Sequence, residues 1–210
     1  SKECKDKLKE TIIKSKKVLK LPDSYTLAIM AGSNTGALES ALWSLLGCKG
    51  VDVLAWDNFG KDWIIDVLEQ LKIENVNSYV ADYGKLPDLK KINFKNDVIF
   101  TWNGTTAGVR VPDAEWIPDY REGLTICDAT SGIFAMDIDF NKLDAISWSW
   151  QKVLGGEGAL GMFALSPREL KRFDTYMEVT KPVLIPYFPS SPENLCNSIF
   201  GHRFCTTSTP

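Results

Sequence analysis

TLAIMAGSNTGALESALWSLLGCKGVDVLAWDNFGKDWIIDVLEQL, residues 26–71, alternates two kinds of apolar pattern. TLAIMA (26–31) and VDVLAW (51–56) are short apolar runs of the kind that form strands covered on both faces. ALESALWSLLG (37–47) and KDWIIDVLEQL (61–71) instead repeat apolar residues three and four positions apart, the period of a helix that buries one side. Strand, helix, strand, helix in that order predicts an α/β fold, with crossover helices joining parallel neighbours.

The pattern continues downstream. VNSYVAD (76–82), NDVIFTWN (96–103), LTICDAT (124–130), AISWSWQ (145–151) and GMFALS (161–166) read as further strands, giving a mostly parallel sheet with both faces covered. Upstream, residues 4–19 carry Leu8, Ile12, Ile13, Val18 and Leu19 among lysines, a helical stripe with a solvated lysine face. From Glu169 the character changes. RELKRFDTYMEV (168–179) reads as a helix, and KPVLIPYFPSSPENL (181–195) is proline-rich and irregular. The expectation is one domain over residues 1–180 and a connecting tail over 181–210.

Composition narrows the function classes. A chain of 210 residues with 44% hydrophobic content buries a large single core. A net charge of -3, with both signs mixed throughout, leaves no basic stripe for nucleic acid. No apolar run reaches membrane-spanning length, and SKECKDKLKETIIKSKK is too polar for a signal peptide, so a cytoplasmic location is expected. The five cysteines show no CxxC spacing and are too sparse for a disulfide framework. The single histidine, His202, argues against a His-based zinc site or a Ser-His-Asp triad.

The chemistry-bearing run is DAISWSWQKVLGGEGALG, residues 144–161, in which Gln151 and Lys152 leave an apolar strand into a glycine-dense loop. A lysine there is either a surface residue or a desolvated amine able to form a Schiff base with a carbonyl. GSNTG (32–36) joins a strand to a helix, where unpaired amides and the helix dipole favour a phosphate; an ordinary turn capped by Ser33 or Asn34 is the alternative. The glycines fit neither the Walker nor the dinucleotide pattern. Asp128 ends a strand, where open α/β sheets gather ligands. Phe59 in WDNFGKDW also follows a strand, and Asn103, Thr105 and Thr106 follow another, with a turn at Asn103-Gly104 as the plain reading. Pyridoxal phosphate needs a lysine, an acid for its pyridinium nitrogen and an anion site, and Lys152, Asp128 and GSNTG offer all three.

WNGTTAGVRVP, REGLTICDATSG and SWQKVLGGEGALGM, supported in order by GSNTGALESALW and WDNFGKDW, resemble the class V aminotransferases of fold type I, most of all their phosphoserine aminotransferase branch. The likeness runs over residues 2–180. It implies the three-layer α/β/α large domain of that family, with a mostly parallel seven-stranded sheet, pyridoxal 5'-phosphate as cofactor, and a homodimer with a shared active site. It implies ping-pong transamination from glutamate to 3-phosphohydroxypyruvate through an aldimine on Lys152, with Asp128 on the pyridinium nitrogen. Phe59 would stack on the ring, Thr105 would face the ring hydroxyl, and Asn34, Thr35 and Gln151 would meet the phosphate. TTSTP is similar to a family stretch that would bring Ser208 and Thr209 to the phosphate of the neighbouring subunit.

Two departures stand out. Relatives carry a His-Arg pair just before the place where this chain has Ser1-Lys2, and they continue past TTSTP into a small C-terminal domain. The chain is therefore expected to be the cofactor-binding part of a longer enzyme. His202-Arg203 has no geometric reason to replace the missing arginine, and Arg110 reads as a surface residue. The alternatives are another class V enzyme, such as a serine or alanine transaminase acting on glyoxylate or pyruvate, a cysteine desulfurase, or a non-catalytic α/β module. A desulfurase would want histidines at the places of Gln151 and Phe59.

Overall fold

Residues 51–55, 97–101 and 145–149 are buried at every position, as continuous apolar strands in the middle of a covered sheet must be. The computed structural model describes residues 2–158 and 160–172. Its strands are β1 (Thr26–Ala31), β2 (Val51–Ala55), β3 (Val76–Val80), β4 (Asp97–Thr101), β5 (Asn103–Gly104), β6 (Val109–Arg110), β7 (Thr125–Asp128), β8 (Ala145–Ser149) and β9 (Leu160–Leu165). Its helices are α1 (Lys2–Leu19), α2 (Asn34–Leu45) and α3 (Asn58–Ile65). Seven strands form one sheet in the order β1-β9-β8-β7-β4-β2-β3. β2, β3, β4, β7 and β8 pair in parallel, and β9 runs antiparallel to both its neighbours, β8 and β1.

Alternation along the strands builds two cores. Val53, Ile99, Ile126 and Phe163 face α2 and α3, where Leu38, Leu42 and Trp63 pack on them. Leu54, Phe100, Cys127 and Met162 face the other way, against Ile12 of α1 and the largely irregular segment 111–143. The predicted α/β/α layering and seven-stranded, mostly parallel sheet are observed, with the second outer layer only partly helical.

Several boundaries differ from expectation for physical reasons. α2 starts at Asn34, because Ser33 is its N-cap and accepts a hydrogen bond from Gly36 N at 3.2 Å. α3 starts at Asn58 behind Asp57, and it widens into a π-helical turn over Asp66–Gln70. The strand expected over 96–103 ends at Thr101, and Asn103–Gly104 pairs separately with Val109–Arg110, so the turn falls at 105–108. α1 buries Ile12 and Ser15 but leaves Ile13 and Val18 exposed, so its apolar stripe is narrower than the sequence suggests. Helix is described over 167–172; the remainder to 179, the tail 181–210, His202 and Arg203 lie outside the described residues.

The two edges of the sheet have different chemistry. Where β4, β7 and β8 begin, buried charges are tightly paired. Asp144 Oδ2 accepts from Arg121 Nη2 (3.0 Å), Arg168 Nη1 (3.0 Å) and Thr125 N (2.9 Å), while Oδ1 accepts from Ser166 Oγ at 3.0 Å. Arg172 pairs with Asp97, which also accepts from Leu124 N at 2.8 Å. This clamp fastens residues 167–172 to the sheet and leaves the opposite, carboxyl edge free for a site.

Candidate active site

The carboxyl edge collects the ends of β1, β2, β4, β7 and β8, because these strands point the same way. Each delivers one polar segment to the same cleft. After β1, Ser33 caps α2, and the first i−4 bond of that helix runs from Ala37 N to Ser33 O at 3.0 Å. The N–H groups of Asn34 and Thr35 precede that bond and have no acceptor within the helix. No acidic residue sits in this first turn, so the dipole end is open to an anion.

After β2, buried Asp57 caps α3 through Gly60 N at 2.9 Å and also accepts from Thr106 N at 3.5 Å. That carboxylate ties the start of α3 to the β5–β6 hairpin, as does the bond from Trp56 Nε1 to Val109 O at 3.0 Å. Phe59 and Thr105 are thereby fixed relative to each other. Tyr83 adds a brace, donating to Asn58 Oδ1 while its hydroxyl oxygen accepts from Thr106 Oγ1 at 3.4 Å. The Phe59 ring remains 44% exposed, available to a second flat group.

At the end of β7, Asp128 is buried. Its Oδ1 accepts from Thr130 N (3.0 Å), Thr130 Oγ1 (2.6 Å) and Asn34 Nδ2 (3.2 Å). Burial pushes its carboxyl pKa above the usual range; the Thr130 and Asn34 hydrogen bonds oppose that rise, and the nearby charge of Asp57 adds to it. Ser131, the next residue of the same loop, places its hydroxyl 2.6 Å from Thr105 Oγ1.

After β8, the chain curls. Gly155 N donates to Lys152 O at 3.0 Å, Gly156 N donates to Trp150 O at 2.9 Å, and Gly155 adopts φ +65, which favours glycine. Gly158 is where Gln151 folds across: a Cβ there would lie 2.0 Å from Gln151 Oε1. Lys152 is exposed at the cleft.

Asn34, Thr35, Phe59, Thr105, Asp128, Gln151 and Lys152, all singled out from sequence, line this one cleft. Ser208 and Thr209 lie outside the described residues. Thr101, Thr130, Ser131 and Trp63 line the cleft as well and were not anticipated. An Asp-x-Thr step at a strand end signals the Thr130 contact, since such a threonine can bond back to the carboxylate two residues earlier. Trp63 sits one helical turn beyond Phe59, and core packing masks that signal. Arg110 lies elsewhere: its guanidinium caps Val111 O and Pro112 O beside a separate groove.

The cleft thus combines an amine, a buried carboxylate, helix-start amides with no acceptor in the helix and an aromatic face. No protein-family model matches the chain. It is 60% identical over 172 residues to the phosphoserine aminotransferase of Methanosarcina barkeri, an alignment covering 82% of this chain and 46% of that protein. The chain spans about half the length of the curated relatives it matches. A phosphoserine aminotransferase from Cytophaga hutchinsonii has the same fold, with TM-score 0.79 and 23% identity over 90% of this chain and 54% of that one. A pyridoxal phosphate-bound phosphoserine aminotransferase from Trichomonas vaginalis matches with TM-score 0.69 and 17% identity, over 91% and 59% of the two chains.

Proposed function

Because the chain is a homologue of phosphoserine aminotransferases over about half of their length, we propose that its cleft binds pyridoxal phosphate. The whole protein then transfers the amino group of glutamate to 3-phosphohydroxypyruvate, giving 2-oxoglutarate and phosphoserine. The observation that carries this reading is the meeting of Lys152, Asp128 and the first turn of α2 in one cleft. An amine suits an aldehyde, a buried carboxylate suits a protonated ring nitrogen, and helix-start amides suit a phosphate. The donor set fits the cofactor group by group.

When bound, pyridoxal phosphate supplies an electron sink for charge developing at the substrate α-carbon. Lys152 would hold the cofactor, and its Nζ would serve as the group that moves a proton to and from that carbon. Asp128, whose Oδ1 is engaged by Thr130 and Asn34, would use its other oxygen to keep the ring nitrogen protonated. Phe59 would cover the ring, Thr105, bonded to Ser131, would face its hydroxyl, and the amides of Asn34 and Thr35 would receive the phosphate together with Gln151. The whole protein would work as a homodimer with a shared active site. Exposed Val153 and Leu154, directly after Lys152, support an apolar partner surface beside the cleft. Residues 1–180 form the cofactor-binding domain, and the enzyme works in the cytoplasm.

A spectroscopic titration tests the reading. The protein mixed with pyridoxal phosphate should develop visible absorbance that bleaches with glutamate and returns with 3-phosphohydroxypyruvate, and Lys152→Ala should never colour. A colourless wild type, or recovery only with glyoxylate or pyruvate, sinks it.

A further inference from the structure

Asn34 contributes more than a backbone amide. Its side chain is buried, at 8% exposure, and its amide meets Asp128 Oδ1 across 94 residues of sequence. A carboxylate only accepts hydrogen bonds, so the amide nitrogen must be the atom that faces it. The other donors to Asp128 both come from Thr130, in the turn immediately after β7. Asn34 is therefore the one described residue outside that turn that bonds the carboxylate. We propose that Asn34 is a positioning residue for Asp128: its side-chain amide pins Oδ1, so that the second carboxylate oxygen is presented to the ring nitrogen of the bound cofactor.

This inference rests on the pyridoxal phosphate reading. Its physical basis is the cost of a poorly held buried charge. Thr130 alone approaches from one local loop, whereas Asn34 approaches from α2 and fixes the carboxylate from a second, rigid element. The same first turn offers its amides to a phosphate. One short piece of chain therefore sets both ends of the cofactor, the phosphate through the backbone and the ring nitrogen through Asn34 Nδ2 acting on Asp128.

The test separates that role from phosphate binding. Asn34→Leu keeps the size of the side chain and removes the donor; Asn34→Ala serves if the leucine variant fails to fold. Dissociation constants are measured by absorbance on the whole protein for pyridoxal phosphate, for pyridoxal lacking the phosphate, and for a 1-deaza analogue of pyridoxal phosphate lacking the ring nitrogen. Losing one charge-assisted hydrogen bond should weaken the first two by about tenfold and leave the third within about twofold. A loss confined to the phosphate-bearing ligands, or an equal loss for the 1-deaza analogue, overturns the proposal. Unchanged affinity of the variant, with normal wild-type binding, overturns it alone; a wild type that binds no pyridoxal phosphate overturns the cofactor reading beneath it.

Discussion

A Cβ on Gly161 would lie 2.5 Å from the carbonyl oxygen of Ser33, so β9 abuts the first turn of α2 with no room for any side chain. The obstacle is backbone, which cannot rotate aside. Gly161→Ala should destabilise the fold by about 1–3 kcal/mol and weaken cofactor binding, because the displaced turn carries both Asn34 and the helix-start amides. Gly36 is the control: its nearest neighbour for a Cβ is Ser33 Oγ at 3.8 Å. Gly36→Ala should leave stability unchanged or raise it by about 0.5–1 kcal/mol, read from denaturant midpoints.

Arg121 and Asp144 have side chains 3% and 2% exposed, which makes their pair a buried one. Arg121→Met should cost about 3–5 kcal/mol, since it strips a buried carboxylate of one of its two arginines. Lys7 and Glu3 pair at 3.0 Å with side chains 72% and 78% exposed, and Lys7→Ala should cost under about 0.5 kcal/mol. Equal losses for the two variants in chemical denaturation would contradict this ranking.

Glu169 is buried, and burial together with the Asp144 charge holds its carboxyl well above the usual range, against the pull of Arg172. A raised acid binds its proton more tightly when folded, so its contribution is present at low pH and is lost as pH rises through the folded pKa. Glu169→Gln should flatten the fall in stability over that window. A pH–stability curve identical to wild type would refute the assignment.

Asp128 obeys the same sign, since burial raises its pKa. Above the ordinary carboxylate range it costs stability in the cofactor-free protein, a buried carboxyl kept for binding. Asp128→Asn should raise the melting temperature of the cofactor-free protein by roughly 2–4 °C and weaken pyridoxal phosphate by at least about tenfold. A lower melting temperature would show that the Thr130 and Asn34 bonds outweigh burial.

Much of this arrangement is legible in the sequence, and its limits have physical causes. Phe59, Thr105 and Lys152 each follow a strand by a few residues and Asp128 ends one, and a parallel sheet delivers all such positions to one edge. The bond from Asn34 to Asp128 is not legible, because it joins two segments that only the folded sheet brings together. The paired charges at the far edge are hidden for the same reason: Asp97, Arg121, Asp144 and Arg168 follow no local spacing. Two-residue strands such as β5 are too short for any period to show. In α1, apolar residues outnumber the places available for them, because the helix meets the sheet chiefly along the edge strand β1.

The place of β9 in the sheet has a consequence for synthesis. Among the described residues β1 is an edge strand with β9 as its one neighbour, Thr26 lying opposite Leu165 and Ala31 opposite Leu160. The turn that carries Asn34 is synthesised before β9, so among the described residues β1 gains its sheet partner only once Leu160–Leu165 have also emerged. Nascent chains that stop short of residue 160 therefore lack the described sheet partner of β1, so the turn that carries Asn34 is held in place only after the late strand arrives.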